Sequence, residues 1–124
     1  MIKGIGVDII EIDRIQSAVD RFGDSFLNRV FTKSEIEYCK KRKGSGVPEL
    51  AVRFSAKEAF SKALGVGIAG FGHNDHGIAW KDVEVVNNPK GKPMLSYKGN
   101  LQEKTHISLS HSRDFAVAMV YVEE

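Results

Sequence analysis

The stretch "FSAKEAFSKALG", residues 54 to 65, has the spacing and composition of a helix that is apolar on nearly every side. At 100° per residue, Glu58 and Lys62 nevertheless share one narrow strip of its surface. A helix that is apolar all round belongs in a protein interior or an interface. Burying an unpaired carboxylate there is costly, so Glu58 needs partners.

Periodicity and turn signals predict further elements on both sides of this helix. Thr32 and Glu35 form a capping-box pattern, Pro48 suits the first turn of a helix, and Gly65 suits a helix end. The alternation over 105–112 and 115–122 indicates a hairpin near the centre of a sheet. The predicted elements are a strand over 2–10, helices over 12–22 and 33–42, the long helix from Pro48 to about Leu64, strands over 82–86 and 92–97, a helical turn over 98–104, and strands over 105–112 and 115–122.

Length and composition restrict the possible classes of protein. A chain of 124 residues, 42% hydrophobic and 27% charged, is predicted to form one α+β domain, residues 1–124, with a mainly antiparallel sheet against the long central helix. The net charge of +2 disfavours a nucleic-acid partner. No run approaches the ~20 apolar residues of a membrane span. The lone Cys39 and the absence of a signal-peptide pattern lead us to expect a cytoplasmic protein.

A second unusual carboxylate lies in the first predicted strand. Ile5, Val7 and Ile9 alternate onto one face, whereas Asp8 shares the other with two glycines that leave space for a close approach. Two carboxylates from separate elements beside a lysine resemble a Mg²⁺ site, in which water and substrate phosphate complete the coordination. The alternative is an ordinary Glu58–Lys62 ion pair at i, i+4. Spacing alone does not decide whether Asp8 and Glu58 meet.

Three segments carry a resemblance to a known family. "GIGVDIIEIDRI" (4–15), "RFSAKEAFSKALG" (53–65) and "ISLSHSRDFAVAMV" (107–120) resemble the signature blocks of the phosphopantetheinyl transferases. The match is strongest to the small form of the family, the holo-acyl-carrier-protein synthases. It spans essentially the whole chain and implies the 4'-phosphopantetheinyl transferase fold.

The resemblance implies a reaction in fatty acid biosynthesis. A serine hydroxyl of an apo acyl carrier protein attacks the pantetheine-side phosphate of coenzyme A, and adenosine 3',5'-bisphosphate leaves. The matched Asp8 and Glu58 are then Mg²⁺ ligands, and the matched Lys62 contacts the phosphates and is a candidate acid for the leaving group. Glu58 is a candidate base, either directly or through a metal-bound water. The sequence does not decide between these two routes.

The resemblance also implies a homotrimer with sites between neighbouring subunits, in which His111 reaches coenzyme A bound largely by the adjacent chain. For His111 the alternative is a packed core histidine, because alternation places it with Ile107 and Leu109. For Arg53 and Lys57 the alternative to a 3'-phosphate contact is a solvent-facing position. The residues implied in coenzyme A binding are Arg53, Lys62, Gly65, Gly91, Pro93, Ser110 and His111.

Carrier proteins of this system are acidic, and the first helix offers a basic face to meet them. Arg14 and Arg21 lie seven residues apart and so share that face. The basic run at 40–43 is interpreted instead as a solvated helix end. Which carrier proteins are accepted does not follow from the sequence.

Other interpretations compete with the transferase. His73, Asp75 and His76 lie in the glycine-rich stretch 65–77, which is predicted to be an irregular loop and only weakly resembles a transition-metal site. The chain is alternatively a binding module that docks a basic helix on an acidic protein or RNA, or a Mg²⁺-dependent phosphohydrolase that uses water in place of serine.

Overall fold

The computed structural model describes residues 1–68 and 77–124 and forms an α+β fold of two antiparallel three-stranded sheets. The strand orders are β1-β6-β5 and β2-β3-β4. The predicted fold class, an antiparallel sheet on a long central helix, is confirmed. The elements are β1 (Ile2–Glu11), α1 (Ile12–Phe22), α2 (Asp24–Val30), α3 (Lys33–Lys40), α4 (Val47–Leu64), a 3-10 helix (Trp80–Asp82), β2 (Val83–Asn87), β3 (Pro93–Tyr97), β4 (Asn100–Leu101), β5 (Thr105–His111) and β6 (Phe115–Glu123).

The central helix α4 lies against β1 in direct backbone contact. A Cβ added to Gly4 would lie 1.9 Å from the Ala63 carbonyl oxygen, and one added to Gly6 would lie 1.8 Å from that of Ala59. Only glycine permits this approach, because any side chain would overlap the helix backbone. The close approach predicted for the glycine face of β1 is therefore confirmed, and the group that approaches is α4.

The opposite face of the β1-β6-β5 sheet is apolar and open to solvent. Its exposed fractions are 56% for Ile5, 52% for Val7, 64% for Ile9 and 52% for Met119, and Phe115 is also exposed. Val7 pairs with Met119 in the ladder, so the strands present one continuous surface. We call these five residues the outer sheet face. Alternation of this kind ordinarily marks a buried face, and monomeric proteins rarely expose so large an apolar patch.

Most helix boundaries follow the predicted signals. Thr32 and Glu35 form a capping box at the start of α3, and the basic run at 40–43 begins at its last residue, Lys40. Pro48 lies in the first turn of α4, and Gly65 ends it with φ of 74°. The sequence signals miss the helix α2, because Gly23 suits the end of α1 and does not by itself signal the start of the next helix.

The predicted helical turn over 98–104 is wrong, since β4 lies there. Lys98 and Gly99 have φ of 51° and 83°, and they form a two-residue turn between Tyr97 and Asn100. Positive φ at both central residues is the geometry that matches the twist of a hairpin. The chain therefore continues into a third strand of the second sheet.

A buried ion pair joins the helices to the second sheet. The Lys57 ammonium donates to Glu35 Oε1 at 2.7 Å and to the carbonyls of Val30 at 2.8 Å and Trp80 at 3.1 Å. Both charged side chains are fully enclosed. Burial lowers the pKa of Lys57, and the Glu35 carboxylate opposes that shift. The solvent-facing alternative for Lys57 is therefore wrong, and a phosphate would reach its ammonium only by displacing these partners.

Candidate active site

The close contact between β1 and α4 brings Asp8 to the charged strip of the helix. Two strand residues span about 6.6 Å and four helix residues span about 6 Å. The strand and the helix therefore stay in register, with Gly4 beside Ala63 and Gly6 beside Ala59. Asp8 comes next along β1. Its Oδ1 lies 3.2 Å from the ammonium of Lys62, which also donates to the Val7 carbonyl at 3.1 Å.

The ion pair at this strip is not the Glu58–Lys62 pair that the sequence offers as an alternative. Lys62 pairs with Asp8, from another element, and not with Glu58 one turn before it on the helix. Glu58 is half-buried, and burial together with the negative charge of Asp8 raises its pKa, while Lys62 partly offsets the rise. The site thus holds two carboxylates near one lysine, with a deficit of positive charge.

This donor set fits a hard divalent cation. Within residues 1–68 and 77–124 no cluster of three or more His, Cys, Asp or Glu side chains has the arrangement of a metal site. A cation held by Asp8 and Glu58 would therefore complete its coordination with water and a phosphate, as Mg²⁺ commonly does. Burial and the negative charge of Asp8 raise the pKa of Glu58, and such a cation would neutralise that charge.

A second group of predicted residues assembles at the β2–β3 turn. Arg53 is only 3% exposed, so its solvent-facing alternative is wrong. Its Nη1 donates to the Glu49 carbonyl at 3.1 Å and its Nη2 to Asn87 Oδ1 at 3.0 Å, and Asn87 Nδ2 donates to the Gly91 carbonyl at 3.1 Å. Asn87 is also the ladder partner of Pro93. The structure therefore brings Arg53, Gly91 and Pro93 together.

The pair Ser110 and His111 lies at the end of β5. Both residues are exposed, so the alternative of a packed core histidine is wrong. Ser110 pairs with Val117 on the side of the outer sheet face, and His111 pairs with Ala116 on the side of α4. Because β6 separates β5 from β1, His111 stands about two strand spacings, or ~10 Å, from the strand that carries Asp8.

The exposed side of α1 carries the predicted basic face. Arg14 and Arg21 line an open groove of about 330 Å³, which continues past Phe22 into a second groove of about 320 Å³ lined by Phe26 and Arg29. Phe22, which follows the apolar spacing of α1, is 58% exposed and lies 5.4 Å below the Arg21 guanidinium. The surface thus combines basic and aromatic groups.

Comparison with known proteins gives a consistent match over the whole chain. The model of the 4'-phosphopantetheinyl transferase superfamily matches residues 4–120. This chain belongs to that superfamily. A holo-[acyl-carrier-protein] synthase from Halothermothrix orenii is 48% identical, covering 100% of this chain and 99% of that protein.

Solved structures of superfamily members share the fold. A holo-(acyl-carrier-protein) synthase from Bacillus anthracis, in complex with CoA (3',5'-ADP), is 42% identical with a TM-score of 0.81, covering 100% of this chain and 98% of that one. The synthase from Neisseria meningitidis is 32% identical with a TM-score of 0.83, and both chains are covered completely.

His73, Asp75 and His76 lie outside the described residues. Over residues 1–68 and 77–124, none of the helices combines the length and the hydropathy of a transmembrane span. Sequence reasoning missed Asn87, which links Arg53 to the β2–β3 turn. Asn87 opens "NNPKG", a pattern that predicts a turn, and an Asn side chain commonly bonds nearby backbone there.

Proposed function

We propose that this chain transfers 4'-phosphopantetheine from coenzyme A to a serine of apo acyl carrier protein in fatty acid biosynthesis, and releases adenosine 3',5'-bisphosphate. The observation that carries the proposal is the approach of Asp8, on β1, to the strip of α4 that holds Glu58 and Lys62. The family assignment and the 48% identity to a named synthase support the same activity.

Asp8 and Glu58 are the residues that would hold Mg²⁺. Both carboxylates are partly exposed to solvent, since the Asp8 side chain is 16% exposed and Glu58 is half-buried. When bound, Mg²⁺ supplies Lewis-acid stabilisation of charge on the diphosphate. The chain's own contribution is to fix the two carboxylates by the glycine contact between β1 and α4.

The proposed reaction assigns proton transfers to two side chains. The serine oxygen forms a new bond to the pantetheine-side phosphorus, and the bond from that phosphorus to the bridging oxygen of the diphosphate breaks. The serine proton passes to Glu58, or to water that Glu58 orients. Lys62 leaves Asp8 to contact the phosphates and gives a proton to the leaving group.

The nucleotide end of coenzyme A is proposed to lie at the Arg53, Gly91 and Pro93 group. In one chain this group and the carboxylate pair lie on different sides of α4, because nine residues separate Arg53 from Lys62 and rotate them by about 180°. A single coenzyme A molecule that contacts both Arg53 and Lys62 would therefore take the two contacts from neighbouring chains. Gly65, three residues after Lys62, is proposed to contact the phosphates together with Lys62.

A homotrimer supplies such neighbours. The outer sheet face is an apolar surface of five exposed residues that a subunit contact would cover. Ser110 lies on the same side of the sheet, at the edge strand β5. An interface on this face would carry Ser110 and His111 to coenzyme A bound by the adjacent subunit.

The carrier protein is proposed to bind along α1. Arg14 and Arg21 would meet an acidic helix, and the grooves beside Phe22 and Phe26 would take its apolar side chains. Charge complementarity of this kind mainly increases the association rate and weakens with added salt. A cytoplasmic location accompanies this proposal, since both substrates are cytoplasmic.

Mass spectrometry of the carrier protein tests the proposal. The chain is incubated with coenzyme A, Mg²⁺ and apo carrier protein, and the intact carrier is then weighed. The proposal expects the carrier to gain the mass of phosphopantetheine. Released adenosine bisphosphate with an unmodified carrier would identify a phosphohydrolase, and a stable complex without reaction would identify a binding module. Either result would contradict the proposal.

A further inference from the structure

Two parallel links join α4 to β2. Arg53 and Lys57 are one helical turn apart on α4, and Val85 and Asn87 are two residues apart on β2. In one link the Arg53 guanidinium donates to Asn87 at 3.0 Å. In the other, Lys57 donates to Glu35 Oε1 at 2.7 Å, and the Val85 N–H donates to Glu35 Oε2 at 2.9 Å.

The second link passes through the Glu35 carboxylate, whose two oxygens both accept hydrogen bonds. Glu35 is 1% exposed, and its Oε1 also accepts the Thr32 N–H at 2.9 Å in the capping box. Three hydrogen bonds, from Lys57 on α4, Thr32 at the start of α3 and Val85 on β2, therefore converge on this side chain. A charge is costly to bury, and buried ionic groups can specify one arrangement of the chain better than they stabilise it.

The strand β2 needs such a link because it is an edge. It pairs with β3 in the β2-β3-β4 sheet and has no ladder to β1, β5 or β6. Its position along α4 is therefore set by side chains. A slip of β2 along the helix would separate Asn87 from Arg53 and move the turn that contains Gly91.

We propose that Glu35 is a positioning residue for nucleotide binding: held by Lys57, its carboxylate fixes β2 on α4 and so brings Arg53 to the β2–β3 turn. This inference rests on the proposed function, because it concerns the coenzyme A site. Glu35 does not touch the substrate. The carboxylate pair of Asp8 and Glu58 uses a different side of α4 and is independent of it.

Paired variants separate this role from simple stability. Replacing both members of a buried ion pair by apolar groups is often neutral or stabilising, so E35L/K57M is expected to fold. E35Q/K57M also removes both charges, but its amide oxygen still accepts the Val85 N–H. A third variant, Glu35→Asp, keeps the charge and withdraws the carboxylate by one methylene.

Three measurements are made on each folded variant: the Kd for coenzyme A, the Kd for Mn²⁺, and the exchange rate of the Val85 amide hydrogen. We expect E35L/K57M to bind coenzyme A about 10–100-fold more weakly than E35Q/K57M, by analogy with the loss of metal affinity when a group that orients a metal ligand is removed. Its Val85 amide should exchange faster, and Mn²⁺ affinity should match wild type in both. Glu35→Asp should weaken coenzyme A binding in the same direction.

The outcomes separate this inference from the proposed function. If the wild type binds coenzyme A, and E35L/K57M and E35Q/K57M bind it with equal affinity, the proposed role of Glu35 is wrong. The proposed function is unaffected by that result. If E35L/K57M does not fold, wild-type affinity in Glu35→Asp overturns the role. A wild-type chain that does not bind coenzyme A contradicts the proposed function itself, while the Val85 exchange rates still report whether Glu35 holds β2.

Discussion

Substituting Gly6 by alanine tests whether backbone contact between β1 and α4 builds the active site. The new Cβ would lie 1.8 Å from the Ala59 carbonyl oxygen and 2.9 Å from the Ala63 nitrogen. A carbon and a carbonyl oxygen approach to about 3.3 Å at closest, so β1 must retreat by roughly 1.5 Å. Both obstructing atoms belong to the helix backbone and cannot rotate away. Asp8, two residues further along β1, would move with the strand.

The expected loss of activity is larger than the expected loss of stability. Overpacking of this kind costs about 1–3 kcal/mol of unfolding free energy. A misplacement of about 1 Å between reacting groups costs on the order of 10²-fold in rate. We therefore expect Gly6→Ala to fold with a lowered Tm and to lose at least about 100-fold in kcat/KM for transfer to the carrier, measured on intact carrier by mass spectrometry.

The matched control is Gly44→Ala. Gly44 has φ of 85°, and nothing lies within 4 Å of an added Cβ. Its cost is therefore backbone strain of about 1–2 kcal/mol without displacement of β1. Near-normal transfer is expected in this variant. Wild-type kcat/KM in Gly6→Ala, or an equal loss in Gly44→Ala, would refute the argument.

Three further variants test the rest of the site. The fold raises the pKa of Glu58 above 4.5. Protonation of Glu58 therefore stabilises the folded state fully below pH 4.5, and this stabilisation is lost as the pH rises through the raised pKa. Glu58→Gln should therefore stabilise the metal-free protein at pH 7 by at most about 1 kcal/mol, since solvent screens this half-exposed carboxylate, and abolish transfer; an unchanged or lower Tm by calorimetry would contradict this. Arg14→Glu should slow carrier modification about tenfold at low salt with an unchanged KM for coenzyme A, and a wild-type rate would exclude the carrier surface on α1. Val7→Lys should give monomers by sedimentation velocity and lose transfer; the assembly state of wild type in this variant would remove the outer sheet face as an interface.

The sequence predicts the central contact because its signals are local. Gly4, Gly6 and Asp8 alternate on one strand face, and alternation fixes which residues share a side. The helix from Pro48 to Gly65 has clear start and stop signals and carries Glu58 and Lys62 at fixed angles. Its all-round apolar surface indicates burial. Together these features place one carboxylate on each of two packed elements, although only the fold shows that Asp8 pairs with Lys62 and raises the pKa of Glu58.

The rest depends on contacts between residues far apart in the chain. Periodicity places Arg53 and Lys57 on a side of α4 away from Glu58, but it does not show that α3 and β2 cover that side. The partners Glu35 and Asn87 lie 22 and 34 residues away in sequence. Likewise, the alternation of Val7 with its neighbours marks an apolar face, but a single chain does not show whether that face is covered by its own core or by another subunit.

The central claim is that Asp8 and Glu58 jointly hold one divalent cation. A titration with Mn²⁺ in the presence of coenzyme A tests it directly. Electron paramagnetic resonance measures the unbound ion during the titration. We predict one Mn²⁺ per protomer in the wild-type protein and in the control Glu49→Gln, and a loss of at least about 10-fold in affinity in both Asp8→Asn and Glu58→Gln. Stoichiometric Mn²⁺ binding of unchanged affinity in both carboxylate variants would contradict the claim.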